Sequence, residues 1–384
     1  MFQRELKGVL ERFSRSFPVV AITGARQSGK TTLARSFFSG LDYVSLEDPI
    51  ELAFAQEDPR GFLARFAKGA IFDEAQRWPD LFSYLQGIVD EDRKPGRFVL
   101  TGSQQFGLMA GITQSLAGRV GMTRLLPLSL AEIPEERVGC LDEMILKGGY
   151  PALYSGSVDP GDWLASYVAT YVERDVRQVL EVRDLAVFQR FLRLCAGRTG
   201  QLLNLNAIAG EAGISHSTAR AWMSVLESSD IVYLLPPYHR NFGKRLVKTP
   251  KLYFLDVGLA SWLLGIRSEE VLAMHPSRGA LFETFVVGEF LKQRFNGGKP
   301  ADLYFWRDNS GLEADLLFEK EGRLQMVEIK SGQTVTSDYI KAAQRTIRFA
   351  PNEALEPWLI HGGGESYERN GVQVMGWKAL RSLG

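Results

Sequence analysis

Over the first third of the chain, short and nearly continuous apolar runs alternate with helical stretches. Residues 18–23, 43–46, 70–73, 98–101 and 121–126 read as strands buried on both faces. Polar or glycine-rich turns follow them, at the sheet end where an open parallel α/β fold collects its ligand. From Trp163 to Leu194 the period lengthens: Leu164, Tyr167, Val168, Tyr171, Val172, Val176, Val179 and Leu180 recur at helical spacing. One or two long amphipathic helices are expected there, then a compact helical unit over 202–229 and a β-rich, basic stretch to Leu255. Beyond Leu281 the pattern is α+β, with a helix over 281–295 and strands around 303–306, 313–318 and 324–329. These changes of period divide the chain into three expected segments, 1–155, 156–275 and 276–384, with no internal repeat.

Composition narrows the class. A chain of 384 residues with 45% hydrophobic and 23% charged residues is globular rather than disordered or fibrous. Lys+Arg 45 balances Asp+Glu 45, so no global field draws the protein to nucleic acid, and any such surface must be a local basic patch. Two cysteines, Cys140 and Cys195, cannot build a disulfide framework in a chain this long. Residues 1–13 mix Arg4, Glu5, Lys7, Glu11 and Arg12 among apolar positions and lack the core of a signal peptide. No run approaches the roughly 18 apolar residues of a membrane helix. The expectation is a cytoplasmic protein with no membrane partner.

The residues 24–31, Gly24, Ala25, Arg26, Gln27, Ser28, Gly29, Lys30 and Thr31, carry the full P-loop pattern between an apolar strand and a helix, with Thr32 following. Gly24 and Gly29 let the backbone wrap closely, so its N–H groups and the helix N-terminus face phosphates. Lys30 is expected to meet the β- and γ-phosphates, and the Thr31 hydroxyl to hold Mg²⁺. Ala70, Ile71 and Phe72 lead into Asp73 and Glu74, a Walker B pattern: Asp73 as a second Mg²⁺ ligand, Glu74 as the group that orients or deprotonates water. The third strand ends in Thr101, Gly102 and Ser103. Ser103, Thr101 or Gln104 is the candidate sensor of the γ-phosphate, against the plainer reading of a strand-to-turn exit. Arg119 is the candidate finger toward a neighbouring subunit's γ-phosphate, with a structural or cis-acting arginine as the alternative. The fold class these motifs define is α/β, a P-loop NTPase with a parallel sheet, with ATP and Mg²⁺ as cofactors.

With these motifs, the runs Tyr43-Val44-Ser45-Leu46-Glu47-Asp48-Pro49, Leu116-Ala117-Gly118-Arg119, Pro127-Leu128-Ser129-Leu130-Ala131-Glu132 and Gly148-Gly149-Tyr150-Pro151 occur in order, followed by Tyr171-Val172-Glu173-Arg174-Asp175 and Glu328-Ile329-Lys330. Together they resemble the AAA-type ATPases of bacteria and archaea that end in a domain of unknown function numbered 4143, over nearly the whole chain. The resemblance implies an AAA-like core, a winged-helix-like middle and an α+β, restriction-endonuclease-like C-terminal domain, with no settled cellular role.

In the middle segment, Asn206 is expected to cap a helix containing Ile208, Ala209 and Ala212, Gly213 to make the turn, and Ser215 or Ser217 to open a second helix. A strand from Asp230 completes the order of a winged helix-turn-helix. His216, Thr218 and Arg220 would then face DNA. The wing-like stretch adds Arg240, Lys244, Arg245, Lys248 and Lys251 with no acid, a cluster able to grip phosphates. The alternative is a module that only packs domains together.

In the last segment, Glu321 and Gly322 read as a two-residue hairpin loop. That register sets Asp315 opposite Glu328 and Glu313 opposite Lys330, all on one face. Asp315, Glu328 and Lys330 resemble the D…ExK site of restriction-like nucleases, with Glu283 as the additional acid. The two carboxylates would hold Mg²⁺ and Lys330 would stabilise charge. Cross-strand ion pairing is the competing reading. The expected function is a Mg²⁺-dependent ATPase whose hydrolysis is coupled to DNA binding or remodelling through the winged helix and the nuclease-like domain, with DNA and further copies of the chain as partners. The alternative is a nucleotide-dependent switch or scaffold that binds a protein partner.

Overall fold

The computed structural model describes residues 2–102, 111–156, 158–172, 184–238, 248–308, 311–347, 350 and 353–383. The chain packs into two compact units. The first is Met1–Leu128 with Ser228–Asp230 and Arg294–Lys299; the second is Ser129–Glu227, Ile231–Gln293 and Pro300–Gly384.

The first unit is a five-stranded sheet of β1 (Val19–Thr23), β2 (Asp42–Ser45), β3 (Ala70–Asp73), β4 (Phe98–Thr101) and β5 (Val120–Arg124), in the order β2-β3-β4-β1-β5. Every pairing is parallel. β1, β3 and β4 feed both faces, which explains their unbroken apolar runs, whereas the edge strands β2 and β5 are only partly buried. Val20, Ile22, Ile71 and Val99 pack against Leu6, Val9 and Leu10, the last two from α1 (Lys7–Ser16), and against Leu33 of α2 (Lys30–Phe37). Val19, Ala21, Phe72 and Phe98 pack on the opposite face with Phe62, Trp78, Phe82 and Leu85. Parallel order brings the C-terminal ends of β1, β3 and β4 to one edge of the sheet, where their loops meet.

In the second unit, α3 (Leu205–Ala212) and α4 (His216–Ser228) follow the short β6 (Gln201–Leu202). The cap of α3 is Asn204, not the expected Asn206: its side chain accepts the Ala207 N–H at 3.1 Å. The helix starts one turn-position earlier because Leu205 and Asn206 already lie inside it, so Asn206 cannot leave the helix to cap. Strands β7 (Val232–Leu235) and β8 (Lys251–Phe254) complete a three-stranded antiparallel sheet in the order β6-β8-β7.

A long helix, α5 (Arg278–Asn296), leads into a six-stranded mixed sheet. Its strands are β9 (Tyr304–Arg307), β10 (Glu313–Lys320), β11 (Arg323–Lys330), β12 (Trp358–His361), β13 (Tyr367–Arg369) and β14 (Val372–Gly376), ordered β13-β14-β12-β11-β10-β9. Glu321 and Gly322 both have positive φ, 53° and 75°, as a two-residue type I′ hairpin requires. The β10–β11 ladder has the expected register from Leu316↔Val327 to Lys320↔Arg323.

The Gly148-Gly149 pair also acquires a structural reason. A side chain at Gly148 would strike Asp256 at 2.3 Å, and Asp256 accepts the Gly149 N–H at 2.7 Å. Asp256 is fully buried and also caps the following helix through the Leu259 N–H at 2.9 Å. Burial raises its pKa from the ordinary aspartate value, against these N–H donors.

Candidate nucleotide site and an acidic cavity

β1 ends at Thr23 and α2 begins at Lys30, so residues 24–29 form the turn between strand and helix. Gly24 has φ +136°, and a Cβ there would lie 2.0 Å from the Leu125 carbonyl oxygen. Only glycine lets this loop pass so close to the chain after β5. Gln27 and Gly29 also have positive φ, 62° and 94°, and Gly29 is the N-cap of α2. Ala25 and Ser28 are buried, Arg26 is half-buried, and Gln27 and Thr32 are exposed.

Lys30 is buried and turns back on the loop, donating to Gly24 O at 3.0 Å and Ala25 O at 2.7 Å. Burial lowers its pKa from the ordinary lysine value, while the carboxylates of Glu74, Asp230 and Asp73 oppose that shift. Asp73 gathers three hydroxyls. Thr31 Oγ1 donates to it at 3.0 Å, Tyr43 OH at 2.8 Å, and Thr101 Oγ1 makes a close third bond. Burial, then the hydrogen bond to Asp73, pushes the Tyr43 phenol up to about 12. Arg35 covers the Tyr43 ring at 4.6 Å. Glu74 has φ 54°, a left-handed conformation uncommon for a non-glycine residue, and accepts from Gln76 Nε2 at 2.5 Å.

These residues fit a nucleotide phosphate with a hard divalent cation. The Gly24 turn brings loop backbone in close, the Ser28 hydroxyl is buried with no hydrogen-bond partner, and Thr31 and Asp73 set two oxygen donors side by side.

Arg4 contributes to the loop without any signal in the sequence. Its buried guanidinium donates to Ser28 O and to Leu126 O, both at 2.7 Å, tying the P-loop to the segment after β5. Thr101, one of the sensor candidates, does reach the site through Asp73, whereas Ser103 and Gln104 lie outside the described residues. Arg119 takes no part in its own chain's nucleotide site. Its carbonyl accepts the Val19 N–H, at the start of β1 and so at the far end of the sheet from the P-loop. Its guanidinium pairs with Asp90 through Nε at 2.7 Å and a terminal nitrogen at 2.8 Å.

The second unit holds a cavity of about 600 Å³, lined among others by Lys251, Glu283, Glu313, Asp315, Glu328 and Lys330. The expected acids and lysine are therefore together. Their pairing differs from the expected one. The β10–β11 ladder ends at Leu316–Val327, and Asp315 instead accepts the Ile329 N–H at 2.9 Å. Glu313 pairs with Arg307 of β9, beyond a register irregularity between Ala314 and Leu317, and the β10–β11 ladder does not reach far enough to pair it with Lys330. Lys330 Nζ is 2.6 Å from Glu328 and 3.9 Å from Asp315.

Lys251 is the largest correction. Expected on the exposed basic wing, it is 3% exposed, bonded to Glu283 at 3.0 Å and closely paired with Glu313. Tyr253 OH donates to the same Glu283 oxygen at 2.5 Å. Strand alternation explains it: Lys251 and Tyr253 leave β8 on one side, toward the cavity. Burial pushes Glu283 up to about 7, against Lys251, and pushes Glu328 up to about 8, with Asp315 adding to the rise. Burial alone would lower Lys251, but the carboxylates of Glu283, Asp315 and Glu313 outweigh it and its pKa rises. Among the described residues no three His, Cys, Asp or Glu side chains form a group that could hold a metal ion.

On α4, His216 and Arg220 are exposed one turn apart, while Thr218 is half-buried and engaged with Ser215 Oγ at 2.8 Å. Lys248 is exposed; Arg240, Lys244 and Arg245 lie outside the described residues, as do Glu173, Arg174 and Asp175. Among the described residues no helix is long and apolar enough to cross a membrane.

The parallel sheet, the P-loop and the Asp73–Thr31 pair define a P-loop ATPase fold of the AAA type, and residues 16–134 match the AAA domain family. Residues 139–270 match a domain of unknown function numbered 8612, and residues 278–380 match the one numbered 4143. An uncharacterized protein of Mycobacterium tuberculosis is 34% identical over 336 residues, covering 86% of this chain and 74% of that protein. The same figures hold for an uncharacterized protein of Mycobacterium bovis. The chain belongs to the family of these mycobacterial proteins, and it carries the AAA domain match followed by domains 8612 and 4143. Among solved structures, a Walker-type ATPase of Pyrococcus abyssi has 15% identity and a TM-score of 0.44, covering 67% of this chain and 94% of its own. The RuvB Holliday junction branch migration motor of Thermotoga maritima has 20% identity and a TM-score of 0.30, covering 60% of this chain and 88% of its own.

Proposed function

We propose that this chain is a Mg²⁺-dependent ATPase whose hydrolysis is coupled to DNA binding or remodelling through a winged helix and a nuclease-like domain. The observation that carries the ATPase reading is Asp73, hydrogen-bonded to Thr31 at the mouth of the P-loop. Residues 24–32 would bind the phosphates, Lys30 would exchange its loop carbonyls for phosphate oxygens, and Glu74 would orient water. Mg²⁺ held by Thr31 and Asp73 would neutralise phosphate charge. Thr101 would sense occupancy through its bond to Asp73. The order β6-α3-α4-β7-β8, with His216 and Arg220 exposed on α4, supports a winged helix facing DNA. Arg240, Lys244 and Arg245 would supply phosphate contacts. A cytoplasmic location and an oligomer are part of the same reading.

A second reading has its own observation in its favour. Lys251 and Lys330 already pair with carboxylates of the cavity, as in a retired nuclease-like site that serves a partner-binding switch. Steady-state ATP hydrolysis with Mg²⁺, measured with single-stranded, duplex and branched DNA and with Glu74→Gln as control, separates the two. Stimulation by one DNA form supports the first reading. Hydrolysis indifferent to every DNA sinks it and favours the switch.

A further inference from the structure

Arg124 closes β5 and lies in register with Thr23, the residue before Gly24. The next residue, Leu125, donates its N–H to Thr23 O at 2.8 Å and presents its carbonyl to the Gly24 turn. Arg124 therefore leaves the sheet at the same edge as the P-loop. Its guanidinium donates from Nε to Asp230 Oδ1 at 2.8 Å, with a second close bond to the same oxygen, and lies 4.8 Å over the Phe295 ring.

Asp230 is unusual in three ways. Its side chain is fully buried, its φ is +56°, and it sits among the residues that pack with the P-loop unit although it follows α4 directly in the chain. A left-handed aspartate is tolerated where surrounding contacts over-determine it, and here the Arg124 pair is one such contact. The Asp230 carboxylate also acts on Lys30, as Glu74 and Asp73 do. It is thus a negative charge fixed beside the phosphate site, with no place in the P-loop or Walker B chemistry.

We propose that Arg124 is a phosphate-binding residue of the nucleotide site and that Asp230 competes with the triphosphate for it. The inference rests on the nucleotide-site reading above and adds a route by which that site is regulated. A triphosphate brings several negative charges to the edge where Asp230 already stands. Like charges there repel, and the arginine that Asp230 holds at that edge can answer them, with a fork that matches phosphate oxygens. Drawing Arg124 toward phosphate releases Asp230, two residues after the end of α4. Linkage makes the effect reciprocal: whatever engages α4 and disturbs Asp230 changes nucleotide affinity by the same factor.

The test uses the full chain and fluorescent ATP and ADP analogues, read as dissociation constants together with thermal midpoints. Asp230→Asn keeps the shape and removes the charge. It is expected to tighten ATP about fivefold or more with a smaller effect on ADP. Arg124→Gln is expected to weaken ATP about tenfold, again more than ADP, so the ATP-to-ADP preference moves in opposite directions in the two variants. A purely structural pair predicts otherwise: both variants weaken both nucleotides equally and lower the midpoint, which overturns the proposal. If Arg124→Gln does not fold, Asp230→Asn decides alone, since unchanged or weaker ATP binding overturns it. Lys30→Ala tests the underlying site, and undiminished ATP binding in that variant removes the nucleotide-site reading itself.

Discussion

Lys251 and Glu283 meet at 3.0 Å inside the second unit, the lysine from a strand of the three-stranded sheet and the glutamate from the long helix α5. A lysine 3% exposed is held charged here by Glu283, Asp315 and Glu313 together, which reverses the downward shift that burial alone produces. The acidic cavity is therefore assembled with its own counter-ion, and that counter-ion comes from outside the six-stranded sheet.

Removing the cation exposes what it does. Lys251→Met leaves Glu283 and Glu313 without their shared partner and is expected to destabilise the protein by about 3–5 kcal/mol. Adding Glu283→Gln should recover part of that loss. Urea unfolding followed by tryptophan fluorescence reads it, because every tryptophan except Trp78 lies in the second unit. Equal stability of Lys251→Met and the parent would show that the pair carries no load.

The same cluster sets a pH dependence. Burial raises Glu283 to about 7 and Glu328 to about 8, above the roughly 4.3 of a glutamate in an unfolded chain. A raised carboxyl binds its proton more tightly in the folded state. Its contribution is complete below about pH 4 and is lost as the pH climbs through 7 to 8. The urea midpoint of the second unit should fall between pH 6 and pH 8.5, and Glu328→Gln should flatten the slope. A midpoint that rises over this interval contradicts the assignment.

With Asp73 as the proposed Mg²⁺ ligand, Tyr43 competes with the cation for it. Its hydroxyl occupies an Asp73 oxygen at 2.8 Å, so Tyr43→Phe frees a lone pair for a cation. Apparent Mg²⁺ affinity in nucleotide binding should tighten by up to about tenfold, the equivalent of one hydrogen bond. Weaker Mg²⁺ dependence in that variant would instead make Tyr43 a support of Asp73.

Glu74→Gln separates binding from turnover. The carboxamide keeps the shape and loses the carboxylate proposed to orient or deprotonate water, so nucleotide affinity should persist while hydrolysis slows by about 10²–10⁴-fold. An unchanged hydrolysis rate assigns the water-positioning role to another group.

The parts of this site that were legible in the sequence are local in the chain. Residues 24–31 name the loop because each position serves a neighbour a few residues away, and Asp73 ends its own strand. Glu321 and Gly322 fix a hairpin register by themselves, since a two-residue loop leaves little freedom. Arg4, Asp230 and Lys251 were not legible because their partners lie far along the chain: Arg4 meets Ser28 and Leu126, Asp230 meets Arg124, and Lys251 meets Glu283 and Glu313. A lysine in a basic run looks like surface, and only the side on which β8 faces the cavity reveals otherwise. The end of the β10–β11 ladder at Leu316 was hidden for a related reason, because an irregularity against β9 is a property of three strands and not of the hairpin.

The clasp between Arg4, Ser28 and Leu126 also imposes an order on synthesis. The P-loop is translated early, but one of its walls is the Leu125 carbonyl and its tether reaches Leu126. β5 is an edge strand that can join β1 only after it leaves the ribosome, which makes chains from the N-terminus onward. A nascent chain that already displays every P-loop residue is thus still missing part of the phosphate cradle. The loop's packing is complete only once β5 is in place, and a stalled ribosome lengthens the time that unfinished sheet edge stays exposed.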